Sequence, residues 1–121
     1  THNYDMGSLY IEADGIWRII GPTEPGPQFH GTGGEMAMWI SKDLGETWTK
    51  ERDLTESSPR NHAYARRPVA AHPDFYAFWA DGNPDEMSES HLYFTTKAGD
   101  VFELPYTMEA SFAKPLARGG E

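Results

Sequence analysis

The chain has 121 residues, 38% of them hydrophobic and 13% aromatic, with no cysteine and a formal net charge of -9. One ordinary domain fits that length, the composition is not that of a disordered chain, and the missing cysteines exclude disulfides and thiolate metal sites while leaving the compartment open. The acidity argues against a nucleic-acid partner, which needs a basic face, and no apolar run approaches the roughly 18 residues of a membrane span or forms the apolar core of a signal peptide.

Four Trp, six Tyr and six Phe carry much of the apolar content, beside twelve Gly and nine Pro. Many turns and few long helices follow, so the predicted class is all-β. The chain begins at Thr1 rather than Met, which reads as a processed or excised segment. Residues 8–20, S-L-Y-I-E-A-D-G-I-W-R-I-I, predict two short strands joined at Asp14-Gly15, because both positions of such a turn tolerate positive φ. The Pro/Gly-rich stretch 21–34 predicts a long loop without regular structure. A strand over 35–40 leads to the polar S-K-D-L-G-E-T-W of residues 41–48 and a short exit strand.

The second half repeats this order. Residues 61–72 precede a strand over 75–80, a polar loop over 81–90, a strand over 91–96, the turn K-A-G-D, and V-F-E-L-P. Aligned without gaps, Thr95, Lys97, Gly99 and Phe102 fall on Ser41, Asp43, Gly45 and Trp48, a step of 54 residues. Four short strands recurring at this period predict two blades of a β-propeller: a first over 1–54, a second over 55–105, and a tail over 106–121 that begins another element or frays. Propellers close with about four to eight blades, so the remaining ones are expected in cis or by self-association.

The stretch 41–48 resembles the Asp box, S-x-D-x-G-x-T-W, of sialidases and other bacterial neuraminidase repeat (BNR) proteins, and all five positions match: Ser41, Asp43, Gly45, Thr47 and Trp48. In that pattern the carboxylate bonds backbone amides, the glycine supplies a left-handed residue, and the Trp staples the turn. It marks the outer turn of a blade rather than a catalytic centre. Around it, H-N-Y-D, G-P-T-E, G-G-E-M and N-H-x-Y-x-R-R-P-V resemble BNR-4-type repeats, similar to propellers acting on polysaccharides, uronic-acid lyases such as ulvan lyases among them.

The resemblance implies a polysaccharide or oligosaccharide partner, a secreted or periplasmic protein, and lyase-type β-elimination on an anionic, uronate-bearing glycan. Such a reaction needs a cation on the carboxylate, a base for the carbon-bound proton and an acid for the leaving oxygen. The first strand of each repeat would supply them, with Asn3 and Asn61 beside them in the lining. Arg66 or Arg67 is the cation, since from Arg60 to His72 the chain has three Arg and two His but no acid. His62 or His2 is the base, and Tyr64 or Tyr4 the acid. The competing hydrolase reading places Glu24 and Glu35, which flank the long loop, at the sugar. A non-catalytic lectin is the further alternative, with Trp17, Trp39 and Trp79 stacking on sugars or, more simply, filling the core. His2, His30, His62, His72 and His91 contain no close pair, so no metal and no cofactor is expected.

Overall fold

The computed structural model describes residues 7–29 and 33–118. They form two antiparallel meanders and contain no helix. The first sheet is β1 (Ser8–Ile11), β2 (Trp17–Glu24), β3 (Glu35–Ser41) and β4 (Thr49–Asp53), hydrogen-bonded in chain order. The second is β5 (Asn61–Arg66), β6 (Ala77–Gly82), β7 (Leu92–Thr95), β8 (Val101–Glu103) and β9 (Leu116–Ala117), again in chain order. The all-β expectation holds, and the two sheets remain open. Among the described residues no helix is long and apolar enough to cross a membrane.

Alternation of side chains gives each sheet one face turned to the other. Tyr10, Ile20, Met36 and Met38 from the first sheet and Tyr76, Trp79, Tyr93 and Val101 from the second share one core, closed by Leu54 of the connection. Tyr10 stacks on Tyr76 with ring centroids 4.2 Å apart and donates its hydroxyl to the Tyr76 carbonyl at 2.7 Å. The edge strands β1 and β5 are tied by Ser8 Oγ donating to the Ala65 carbonyl at 2.7 Å. A core built from large aromatics explains how a chain poor in Leu and Ile buries enough apolar surface.

Two sequence expectations need correction. The stretch 21–34 is not all loop, because β2 runs on through Gly21, Pro22, Thr23 and Glu24. The register against β3 slips between Pro22 and Glu24, and a residue without an N–H is tolerated at such an irregularity. The β1–β2 connection spans five residues rather than a two-residue turn, closed by Gly15 N–H to the Glu12 carbonyl at 3.1 Å and Ile16 N–H to Asp14 Oδ1 at 3.0 Å. Within the tail, Leu116 and Ala117 pair with Glu103 and Phe102. His2, Asn3 and Tyr4 lie outside the described residues, and the first described strand of the first sheet is Ser8–Ile11.

Candidate functional site

The turn from β3 to β4 is built almost wholly from its own side chains. Asp43 accepts from Thr47 N–H and Ser41 Oγ at 2.9 and 2.8 Å through Oδ1, and from the Thr47 hydroxyl through Oδ2. Ser41 Oγ in turn accepts from Gly45 N–H at 2.8 Å. Bonds from the Thr47 hydroxyl, its N–H and Ser41 favour the charged form and hold Asp43 down at about 2. Gly45 has φ +88° and lies on Trp17, and a Cβ there would stand 2.7 Å from the Trp17 ring. Trp48 Nε1 donates back to the Gly45 carbonyl at 3.0 Å.

The equivalent turn from β7 to β8 works differently. Thr96 N–H donates to the Asp100 carbonyl and Gly99 N–H to the Thr96 carbonyl, at 2.9 and 3.0 Å. Lys97, which stands where the first turn has its aspartate, reaches out to Glu12 and Asp14 of the first sheet, each at 3.4 Å. Glu12 also accepts from the Tyr76 hydroxyl at 2.6 Å.

At the opposite end of both sheets, a side-chain network joins segments far apart in sequence. Gln28 and Asn61 exchange three bonds of 2.8 to 3.1 Å. Gly34 and His62 exchange backbone bonds of 2.9 and 2.7 Å. Glycines allow that approach: a Cβ on Gly33, at φ +91°, would fall 2.5 Å from the His62 carbonyl oxygen, and one on Gly34 would fall 2.1 Å from that of Glu24. His62 is 2% exposed. Its Nδ1 takes the Trp79 indole N–H at 2.9 Å, and its Nε2 lies 3.0 Å from Ser58 Oγ. Indole is a donor only, so Nδ1 must be the acceptor and the ring proton sits on Nε2, aimed at Ser58. Ser58 passes its own proton to Glu35 Oε1 at 2.7 Å, where Thr55 also donates at 2.6 Å. Burial pushes the His62 imidazolium down to about 4, against the pull of Asp81 and Glu35.

Nearby, buried Asp81 accepts from the His91 N–H at 2.7 Å and the Tyr93 hydroxyl at 2.9 Å, and pairs with Arg60 at 3.2 Å. Between the end of β4 with its connection to β5 and the second sheet lies a cleft of about 440 Å³ with Ser58, His62, Tyr93 and Arg118 on its walls. A more open groove of about 590 Å³ passes Glu24, Glu35, Lys50 and Asp53.

The candidate residues do not converge. Asn61, His62, Glu24 and Glu35 gather at the end opposite the β3–β4 turn. Arg66 and Arg67 stand at the other end of β5, five residues or roughly 16 Å along an extended strand from Asn61. His62 faces the core, and with Nδ1 occupied by Trp79 and its proton on Nε2 it presents no free lone pair to a substrate, so this geometry does not offer it as a base. Tyr64 projects outward, 48% exposed with φ +65° at the bulge between Ala63 and Arg66. The guanidinium of Arg66 lies 5.8 Å from the Tyr64 ring and that of Arg67 5.2 Å from the Tyr10 ring.

Glu24 and Glu35 are register partners, their like charges offset by Lys50 at 2.8 Å from Glu24 and by the hydroxyls on Glu35. Trp79 is core, Trp17 lies beneath Gly45, and Trp39 Nε1 donates to Thr23 at 3.0 Å. Sequence reasoning missed Ser58, Thr55 and Asp81. The first two sit in the β4–β5 connection, which carries no pattern of its own, and Asp81 reads as the start of a loop although it closes β6. Among the described residues no group of three or more His, Cys, Asp or Glu is placed to hold a metal.

No family model, no curated protein and no solved structure matches the chain.

Proposed function

We propose that the chain is a two-blade portion of a BNR-type β-propeller that binds an anionic, uronate-bearing polysaccharide along the inner edge formed by β1 and β5. One observation carries this reading. In a chain of net charge -9, Arg66 and Arg67 are exposed on that edge, each over a tyrosine ring, with no carboxylate partner among the described residues. Planar guanidinium groups bond both oxygens of a carboxylate, and exposed Tyr64 beside them offers a ring and a hydroxyl to a sugar. The two meanders packed face to face, with their edge strands β1 and β5 tied through Ser8 and Ala65 and the Asp-box turn at the far side, support the blade reading. Secretion or a periplasmic location goes with such a polymer.

The test is retention on immobilised polyuronate against a neutral glucan. Retention of the parent protein on the polyuronate only, lost in Arg66→Ala/Arg67→Ala and weakened by salt, is the expected result. Equal retention on both polymers, or none, overturns it.

Lyase-type β-elimination at the same edge is a second reading, favoured by the exposed Tyr64 hydroxyl next to Arg66. Arg66 and Arg67 would neutralise the uronate and Tyr64 would protonate the leaving oxygen. The base would come from His2 or Tyr4, which lie outside the described residues, or from a further blade. Appearance of the ultraviolet absorbance of an unsaturated uronate, abolished by Tyr64→Phe, is the outcome this reading requires.

A further inference from the structure

Each sheet has a second apolar face, turned away from the shared core. On the first sheet it carries Leu9 and Ile11, 48% and 55% exposed, with half-buried Trp17 and Ile19 across from them. On the second it carries a cross-strand ladder, Phe78–Phe94–Phe102, with Phe75 stacked on Phe94 at 4.7 Å and Leu92 alongside, the last two 40% and 43% exposed.

These faces are not two unrelated patches. Met38 of the first sheet and Leu92 of the second occupy the same place in their meanders, as do Trp39 and Tyr93, by the step that carries Ser41 to Thr95. Inside the chain, the Met38 side of the first sheet packs against the Tyr93 side of the second. The second sheet therefore exposes Leu92 and Phe75 on its Met38-like side, and the first sheet exposes Leu9 and Ile11 on its Tyr93-like side. Those are the two halves of an interface the chain already makes once.

We infer that a second copy of this chain docks head-to-tail, the Leu9/Ile11 face of one copy on the Phe75/Leu92 face of the next, repeating the internal sheet-on-sheet contact. Such an interface is heterologous: unlike faces meet, and association propagates until a ring closes or the rotation fails to close. It rests on the two-blade reading but on no ligand, so polyuronate retention and assembly fail or succeed separately.

The experiment is the solution mass of the 121-residue chain by light scattering and sedimentation. The wild type is expected at a whole-number multiple of 13.6 kDa. Leu9→Glu/Ile11→Glu spoils one face and Phe75→Glu/Leu92→Glu the other, all four at exposed positions. Each variant alone is expected as a monomer. An equimolar mixture is expected to give a dimer of one of each, at twice the monomer mass, because each retains the face the other lacks. A folded wild-type monomer overturns the inference without recourse to any variant, and so does a variant that still dimerises with itself, which would mean like faces pair.

Discussion

The two ends of the sheets are held together by opposite strategies. At the end that holds the β3–β4 turn, the bonds on Asp43 come from residues within four positions of it, so the turn is a local object. At the other end, Gln28 bonds Asn61, Gly34 bonds His62, and Glu35 reaches Ser58 and through it His62 and Trp79. A local turn forms wherever its short sequence stands. A long-range network forms only after the sheets have docked, so it reports on the whole fold and fails with it.

The largest effect should therefore come from the long-range end. His62→Ala removes a buried ring, leaves the Trp79 indole N–H unpaired, and takes the donor from Ser58. A cavity and an orphaned polar group together cost about 4 kcal/mol, read as a fall in the urea midpoint. A loss under about 1 kcal/mol would mean that the two ends are not coupled to the core in the way the hydrogen bonds describe.

Acid probes the same group without mutation. The folded state keeps His62 neutral down to about 4, while an unfolded His titrates near 6.5. Between those values the unfolded chain binds more protons, so stability is complete above the unfolded value and falls with pH through the interval, by on the order of 3 kcal/mol. His91 pulls the other way. Burial opposes its charge, but bonds to Glu89 and Glu103 outweigh that and raise it above the ordinary His value. Its contribution is present below the unfolded value and is lost as pH rises through the folded one. A stability maximum near neutrality follows, and replacing His62 by a residue that does not titrate should flatten only the acid limb.

Gly45→Ala tests the local end. The residue sits at φ +88° and its new methyl would meet the Trp17 ring, so left-handed strain and overpacking add to about 3 kcal/mol. Asp43 gives the matching pH signature. Its folded value near 2 lies below the usual carboxylate range, so its contribution is present above that range and disappears as pH falls through about 2. A carboxyl titration of Asp43 at the ordinary value would show that the bonds from Thr47 and Ser41 do not persist in solution.

The same contrast explains what was legible beforehand. S-K-D-L-G-E-T-W could be read because every atom that shapes it lies within it, and the strand order followed from turns and alternation of the same short range. The partners of His62 could not be read. Residue type marked it as chemically able, but its tautomer and burial depend on Trp79, Ser58 and Glu35, which meet only when two sheets stack. Pro22 misled for a related reason, since its place in β2 depends on its pairing with Met36 of β3, and Asp81 read as loop because its partners lie in two other segments, Arg60 before β5 and His91 and Tyr93 at the entry to β7.

Lys97 tests where the two strategies meet. It lies in a turn equivalent to the β3–β4 turn, yet its charge is spent on Glu12 and Asp14 across the sheet boundary rather than within the turn. The side chain is 31% exposed, so solvent screens much of the attraction, and pairs of this kind contribute about 1 kcal/mol or less. Lys97→Met keeps the aliphatic stem and removes the charge, so a loss of that size, shrinking as salt is added, is expected. In a double-mutant cycle Asp14→Asn should remove only part of the effect of Lys97→Met, because Glu12 stays paired at the same 3.4 Å. If Lys97→Met instead costs as much as Gly45→Ala, the β7–β8 turn depends on that ion pair for its own shape, and the distinction between a self-contained turn and a sheet-spanning one gives way.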